Sequence, residues 1–188
     1  MSKRSHKEVD NSRRRFLLGS AAALATSFSV PTIASVHGAS TQGRRLSFHH
    51  THTGENLHID YHDGVTYIPD SLAEIDHYLR DFRTDESHPI DPHLLDILHH
   101  LKSTSGSRKS FEVISGYRSP KTNANLRSKS TGVAKRSLHM QGKAIDIRLS
   151  GYDTHLLHKA TKQLARGGTG YYRRSDFIHV DTGRVRHW

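Results

Sequence analysis

The chain contains no cysteine. Disulfides, thiolate nucleophiles and cysteine-based zinc sites are excluded, so any bound metal must rely on histidine and carboxylate ligands. No basic run is interleaved with aromatic residues, which argues against a nucleic-acid partner despite a formal net charge of +10. No apolar run is long enough to span a bilayer comfortably. Internal repeats and low-complexity segments are also missing. At 188 residues these absences leave one soluble domain, or one domain plus a tail.

The charge is unevenly placed. Lys3, Arg4, Lys7, Arg13, Arg14 and Arg15, against Glu8 and Asp10, account for +4 within residues 1–40. The surplus on the remainder favours polyanionic surroundings such as an anionic cell envelope. Ser12-Arg13-Arg14-Arg15-Phe16-Leu17-Leu18 has the paired arginines and following Phe-Leu of a twin-arginine export signal. The run Phe16 to Val30 behind it is only weakly apolar, and small residues near Ala34 and Ala39 offer cleavage points. We therefore assign 1–40 to a signal segment and linker and 41–188 to the working domain, with no stable membrane span after cleavage. The expected location is the periplasm or another exported site.

Periodicity predicts the elements. Arg45 to His52 and Asn56 to His62 read as a hairpin turning at Thr53-Gly54-Glu55, with Leu57, Ile59 and Tyr61 alternating toward one face. Ser71-Leu72-Ala73-Glu74 resembles a capping box ahead of a helix whose stripe is Leu72, Ile75, Tyr78 and Leu79. Asp91-Pro92 caps a second helix carrying Leu94, Leu95, Leu98 and Leu101. Phe111 to Ser115 is a short strand, Asn123 to Lys129 a short helix, and Lys143 to Leu149 a strand. Asp153 or Thr154 caps a helix through Leu164 that Gly167-Gly168 would close. Gly170 to Tyr172 and Phe177 to Val180 form a last hairpin. The expected fold is a compact α+β domain with a small, mostly antiparallel sheet flanked by helices.

The chemistry concentrates in Ser137-Leu138-His139-Met140-Gln141-Gly142-Lys143-Ala144-Ile145-Asp146. His139 and Asp146 lie seven residues apart, and a second imidazole follows at His179. Strand alternation puts Asp146 opposite Ile145 and Ile147, and puts His179 and Asp181 opposite Ile178 and Val180. A carboxylate amid an apolar strand needs a partner, which a metal, Arg118 or Arg148 would supply. Two imidazoles and one carboxylate suit Zn²⁺ and leave a fourth position for water, the mark of a catalytic site.

The pattern Ser-x-His-x-x-Gly-x-Ala-x-Asp, followed by a strand with a second histidine, resembles the zinc D-Ala-D-Ala carboxypeptidase and endopeptidase family, related in fold to the hedgehog signalling domain. Phe111 to Ser119, Gly132-Val133-Ala134-Lys135 and Arg186-His187-Trp188 resemble its exported murein endopeptidase K group. The resemblance implies Zn²⁺ held by His139, Asp146 and His179, with Arg118 beside the metal to stabilise an oxyanion. It places a catalytic carboxylate three residues before the last ligand, at Asp176. A strict strand would point Asp176 away from His179, so that assignment requires a turn at Arg174-Ser175-Asp176. Asp181 competes for the role, or orients a ligand. Ser137 is expected at the edge of the site, and His187 in the cleft or capping a strand. The implied activity is hydrolysis of amide bonds in peptidoglycan stems or cross-links, including links between two diaminopimelate residues. A D-Ala-D-Ala carboxypeptidase and a non-catalytic, metal-containing wall-binding domain are the alternatives.

Overall fold

The computed structural model describes residues 42–188, so the twin-arginine segment expected within 1–40 lies outside the described residues. The first strand, β1 (Arg44–His50), turns back into β2 (Asn56–His62) as an antiparallel hairpin. Alternation decides its faces: Leu46, Phe48, Leu57, Ile59 and Tyr61 are buried, while Arg45, Asn56, His58 and Asp60 between and beside them are exposed. Helices α1 (Pro69–Tyr78) and α2 (Pro92–Ser105) follow, then β3 (Phe111–Ser115) and α3 (Pro120–Lys129). A 3-10 turn at Leu138–Gln141 leads into β4 (Ala144–Leu149). The chain continues through α4 (Thr154–Leu164), β5 (Gly168–Tyr172), β6 (Phe177–Asp181) and β7 (Arg186–His187).

Among the described residues, seven strands join one mixed sheet in the order β2-β1-β3-β4-β6-β5-β7. That sheet is larger than the small one expected, for two reasons. β1 pairs β3 in parallel across the intervening helices. The two-residue β7, too short to read as a strand, adds in parallel to β5. The architecture remains α+β, and the antiparallel pairs dominate its centre.

Helix α2 shows the local logic. The Asp91 carboxylate accepts from the His93 amide at its N-terminus, Pro92 sits where its missing N–H is harmless, and Gly106 ends the helix at φ 65. Its fully buried leucines, Leu94, Leu95 and Leu98, pack on the sheet. Each such burial is worth roughly 1.5–3 kcal/mol relative to exposure. Three terminus expectations need correction. Helix α1 begins at Pro69 behind Ile68, so Ser71 lies inside the first turn and caps nothing. Ser119, whose hydroxyl accepts from the Thr122 amide, starts α3 before Asn123. Helix α4 is capped by Asp153 as expected, but Ala165, at φ 49, takes the left-handed turn at its end, and Gly168 already belongs to β5.

The sheet has two unlike faces. Ile145, Ile147 and Leu149 of β4 and Ile178 and Val180 of β6 enter the apolar core, where α4 packs against both strands. The opposite face of the same strands carries Asp146, His179 and Asp181, all buried.

Candidate metal centre

Pairing across the sheet brings the first two polar groups together. Asp146 of β4 and His179 of β6 are direct partners in an antiparallel register, so their side chains leave the same face side by side. The third comes from the 3-10 turn. Gly142 ends that turn at φ 63, and a Cβ there would collide with the Pro89 carbonyl oxygen. Only glycine meets both demands, and the turn it permits holds His139 over the strand pair. The Arg118 amide donates to the His139 carbonyl at 3.2 Å, tying the Gly116–Arg118 segment to the turn.

The convergence is tight. His139 Nε2, Asp146 Oδ1 and His179 Nδ1 lie within 4.8 Å of one another, and each residue is buried. The individual separations are 3.3 Å from His139 to Asp146, 3.0 Å from His179 to Asp146 and 3.2 Å between the two imidazoles.

Outer contacts fix both tautomers. His139 Nδ1 lies 2.8 Å from the Gly116 carbonyl, which can only accept, so Nδ1 carries the proton and Nε2 presents a lone pair. His179 Nε2 lies 2.8 Å from Asp181 Oδ2, so that nitrogen donates and Nδ1 is turned inward. Two lone pairs at 3.2 Å repel unless a cation or a proton sits between them and the carboxylate. The donor set therefore fits a divalent ion taking nitrogen and oxygen ligands. A proton on His179 would meet part of the same demand. Burial alone would lower His179, but its hydrogen bonds to Asp146 and Asp181 prevail and raise it to about 9. Burial keeps His139 below the usual imidazole value, and the surrounding imidazoles hold Asp146 well below the carboxylate range despite its burial.

Arg118 reaches the centre from the strand–helix junction after β3. Its Nη2 lies 3.5 Å from Asp146 Oδ2 and 3.4 Å from Ser115 Oγ, both loose contacts. Its buried Nε has no hydrogen-bond partner among the described residues. Burial pushes the guanidinium pKa down and Asp146 opposes this, yet arginine keeps its charge. It is a desolvated cation with unspent donors at the mouth of the site. Arg148, the other partner weighed for Asp146, is instead engaged by Glu112 at 2.6 Å.

A cleft of about 460 Å³ opens over these groups, lined by Arg118, Arg136, Ser137, Tyr172, Phe177 and Trp188 together with the three candidate ligands. Ser137 sits at its edge, buried, at the start of the 3-10 turn. Tyr172 and Phe177 stack at 4.6 Å, and the Trp188 indole donates to the Tyr172 hydroxyl at 3.2 Å. Trp188 also lies 5.3 Å from the His179 ring and leans on the backbone at Gly170, where a Cβ would come within 2.5 Å of the indole.

Of the remaining expected residues, Asp181 takes the ligand-orienting place, while Asp176 and His187 do not line the cleft. Asp176 follows a 3-10 turn at Arg173–Ser175 and adopts φ 50, a left-handed conformation that aspartate tolerates better than most residues. The anticipated bend thus exists, but it turns the carboxylate to the Thr154 hydroxyl at 2.7 Å, outside the cleft. Asp181 is completely buried behind His179, where Arg186 and the amides of Gly168 and Gly183 also donate to it. His187, in β7, is not among the cleft-lining residues. The aromatic wall escaped the sequence reading as a unit because its members come from three separate segments. The one signal of it was the terminal Arg-His-Trp motif.

The family model described as Peptidoglycan L,D-endopeptidase MepK matches residues 38–188. The chain belongs to this family. Peptidoglycan L,D-endopeptidase MepK of Escherichia coli (strain K12) is 41% identical over 181 residues, covering 96% of this chain and 99% of that protein. The protein of the same name from Shigella flexneri matches equally, at 41%. A probable peptidoglycan L,D-endopeptidase MepK from Haemophilus influenzae is 39% identical over 96% of this chain and 97% of its own length. The family match spans every residue of the candidate centre, from Arg118 to Trp188.

Proposed function

We propose that this chain is an exported, zinc-dependent endopeptidase that hydrolyses amide bonds in peptidoglycan peptide cross-links, including those between two diaminopimelate residues. The observation that carries the reading is the convergence of His139 Nε2, Asp146 Oδ1 and His179 Nδ1 within 4.8 Å, in a chain belonging to a peptidoglycan L,D-endopeptidase family. Those three atoms would hold the ion. A zinc ion there supplies Lewis acidity toward the scissile carbonyl and makes water nucleophilic at neutral pH.

The chain's own residues do the rest. Asp181 keeps the His179 proton on Nε2, leaving Nδ1 free to ligate. The Gly116 carbonyl does the same for His139 through Nδ1. Arg118, with donors to spare and little solvent around it, is placed to stabilise negative charge growing on the carbonyl oxygen. Tyr172, Phe177 and Trp188 form an apolar wall that positions a peptide beside the metal. Among the described residues, Asp146 is the only carboxylate lining the cleft, so neither Asp176 nor Asp181 is assigned as a base.

Residues 41–188 form the catalytic domain in this reading, and 1–40 direct export by the twin-arginine route to the periplasm. No helix among the described residues is long and apolar enough to cross a membrane. Digestion of defined cross-linked muropeptides by the zinc-loaded protein, with mass spectrometry of the products, tests activity and bond choice together. Release of free D-alanine alone would favour a carboxypeptidase. Binding to purified sacculi with no soluble fragments would favour a wall-binding module. Fusion of residues 1–40 to a reporter, with Arg13→Lys and Arg14→Lys blocking its export, tests the address.

A further inference from the structure

The charges lining the cleft are lopsided. Among the described residues, three arginines, Arg118, Arg136 and Arg186, line it with Asp146 as the one carboxylate. Arg186 is neutralised by Asp181, which it meets at 2.7 Å. Asp146 offsets only part of a divalent ion. Arg118 stands beside Asp146 at the metal end. Arg136 differs from both: it is exposed and forms no ion pair among the described residues. It leaves the loop between α3 and the 3-10 turn one residue before Ser137, two before the turn begins and three before His139. A fixed turn therefore presents an uncommitted guanidinium to whatever occupies the cleft. Its planar fork matches a carboxylate with two parallel hydrogen bonds, and a neutral amide cannot replace that charge.

We propose that Arg136 binds a free carboxylate flanking the scissile amide, so that the preferred substrate carries such a carboxylate and its amidated form is rejected. This rests on the endopeptidase reading above and adds a substrate requirement to it. In a link between two diaminopimelate residues each partner retains one free carboxylate, one on the carbonyl side of the bond and one on the nitrogen side. Either has the required chemistry.

The test separates these sources and does not depend on turnover. Three ketomethylene isosteres of the linked pair (–CO–CH₂– replacing –CO–NH–) are titrated calorimetrically into the full-length, zinc-loaded protein. One has both carboxylates free, one is amidated on the carbonyl side, and one on the other side. Wild type should bind one amidated ligand about tenfold more weakly than the free form, and that arm identifies the carboxylate. Arg136→Gln should bind the free form about tenfold more weakly and lose the discrimination, while Arg136→Lys should fall between. Arg136 is exposed, and thermal melting verifies that the variants stay folded. The proposal is overturned if Arg136→Gln still discriminates, or if wild type binds all three alike or none. Hydrolysable counterparts keep the two readings apart. Discrimination in binding without hydrolysis would remove the endopeptidase reading and leave the carboxylate site. Equal hydrolysis of free and amidated links would do the reverse.

Discussion

Replacing Asp181 by asparagine isolates what the carboxylate behind His179 does. Asp181 Oδ1 accepts from the Gly168 amide at 3.0 Å, the Gly183 amide at 2.8 Å and Arg186 Nη1 at 3.0 Å. Its Oδ2 accepts from His179 Nε2 at 2.8 Å and from Arg186 Nη2 at 2.7 Å. Asparagine keeps one oxygen, which the two backbone amides and Nη1 will claim. Its amide nitrogen then faces two donors where an acceptor stood. His179 can relieve that clash by moving its proton to Nδ1, the nitrogen that must be bare to ligate. Metal binding would have to reverse this tautomer shift. A hydrogen bond to a charged group is worth about 1.5–3 kcal/mol, so the ion's affinity should fall about 10–100-fold. Loss of the Arg186 pair should also reduce stability, by about 1–3 kcal/mol, because Asp181 is fully buried and the Arg186 Nη2 donor loses its acceptor. Competition with a chromophoric chelator measures affinity, and urea denaturation of the metal-free protein measures stability separately. Affinity within threefold of wild type would refute the orienting role. Intact affinity with turnover lost would instead make Asp181 a participant in proton transfer.

Arg118→Ala should retain the ion and lose about 10²–10³ in kcat, the usual effect of removing one oxyanion donor; metal analysis alongside steady-state kinetics checks both halves. Asp176→Ala should change turnover by less than about tenfold, since its carboxylate serves Thr154 outside the cleft. A hundredfold loss with metal retained would reinstate it as a base. Asp96→Asn should destabilise the fold by about 1–3 kcal/mol at pH 7. Burial alone would raise the Asp96 carboxyl, but hydrogen bonds from Tyr67, Arg44 and Tyr61 hold it below its ordinary 3.8. A depressed folded pKa stabilises above the unfolded value and is lost as pH falls through the folded one. The gap between wild type and variant, followed by urea denaturation, should therefore close below about pH 3.8. A gap independent of pH would point to packing instead.

The neighbourhood of the centre was legible in the sequence where alternation governs it. Period two in Ala144–Leu149 and Phe177–Asp181 assigns Asp146 and His179 to the face opposite the isoleucines, and the register pairs them directly. Alternation says which way a side chain points, but not which strand lies alongside. The parallel pairing of Phe48 with Phe111 spans two helices and left no local trace. Nor did β7, whose two residues are held by neighbours and not by a pattern of their own. The position of Asp176 was hidden for a different reason. Its offset from His179 suggests a place beside that residue, yet its left-handed backbone carries the carboxylate to the Thr154 hydroxyl and near Arg148. Ser71-Leu72-Ala73-Glu74 had the form of a cap, but Pro69 had already begun the helix.

Trp188 rests its indole on bare main chain at Gly170, where even a methyl group has no room. The reach of the aromatic wall over the cleft is thus set from behind, by a residue that pairs directly with His179 across the sheet. Enlarging position 170 by a single carbon would displace the indole, whose ring lies 5.3 Å from that of His179. The width of the cleft and the setting of His179 are in this way coupled through one small residue.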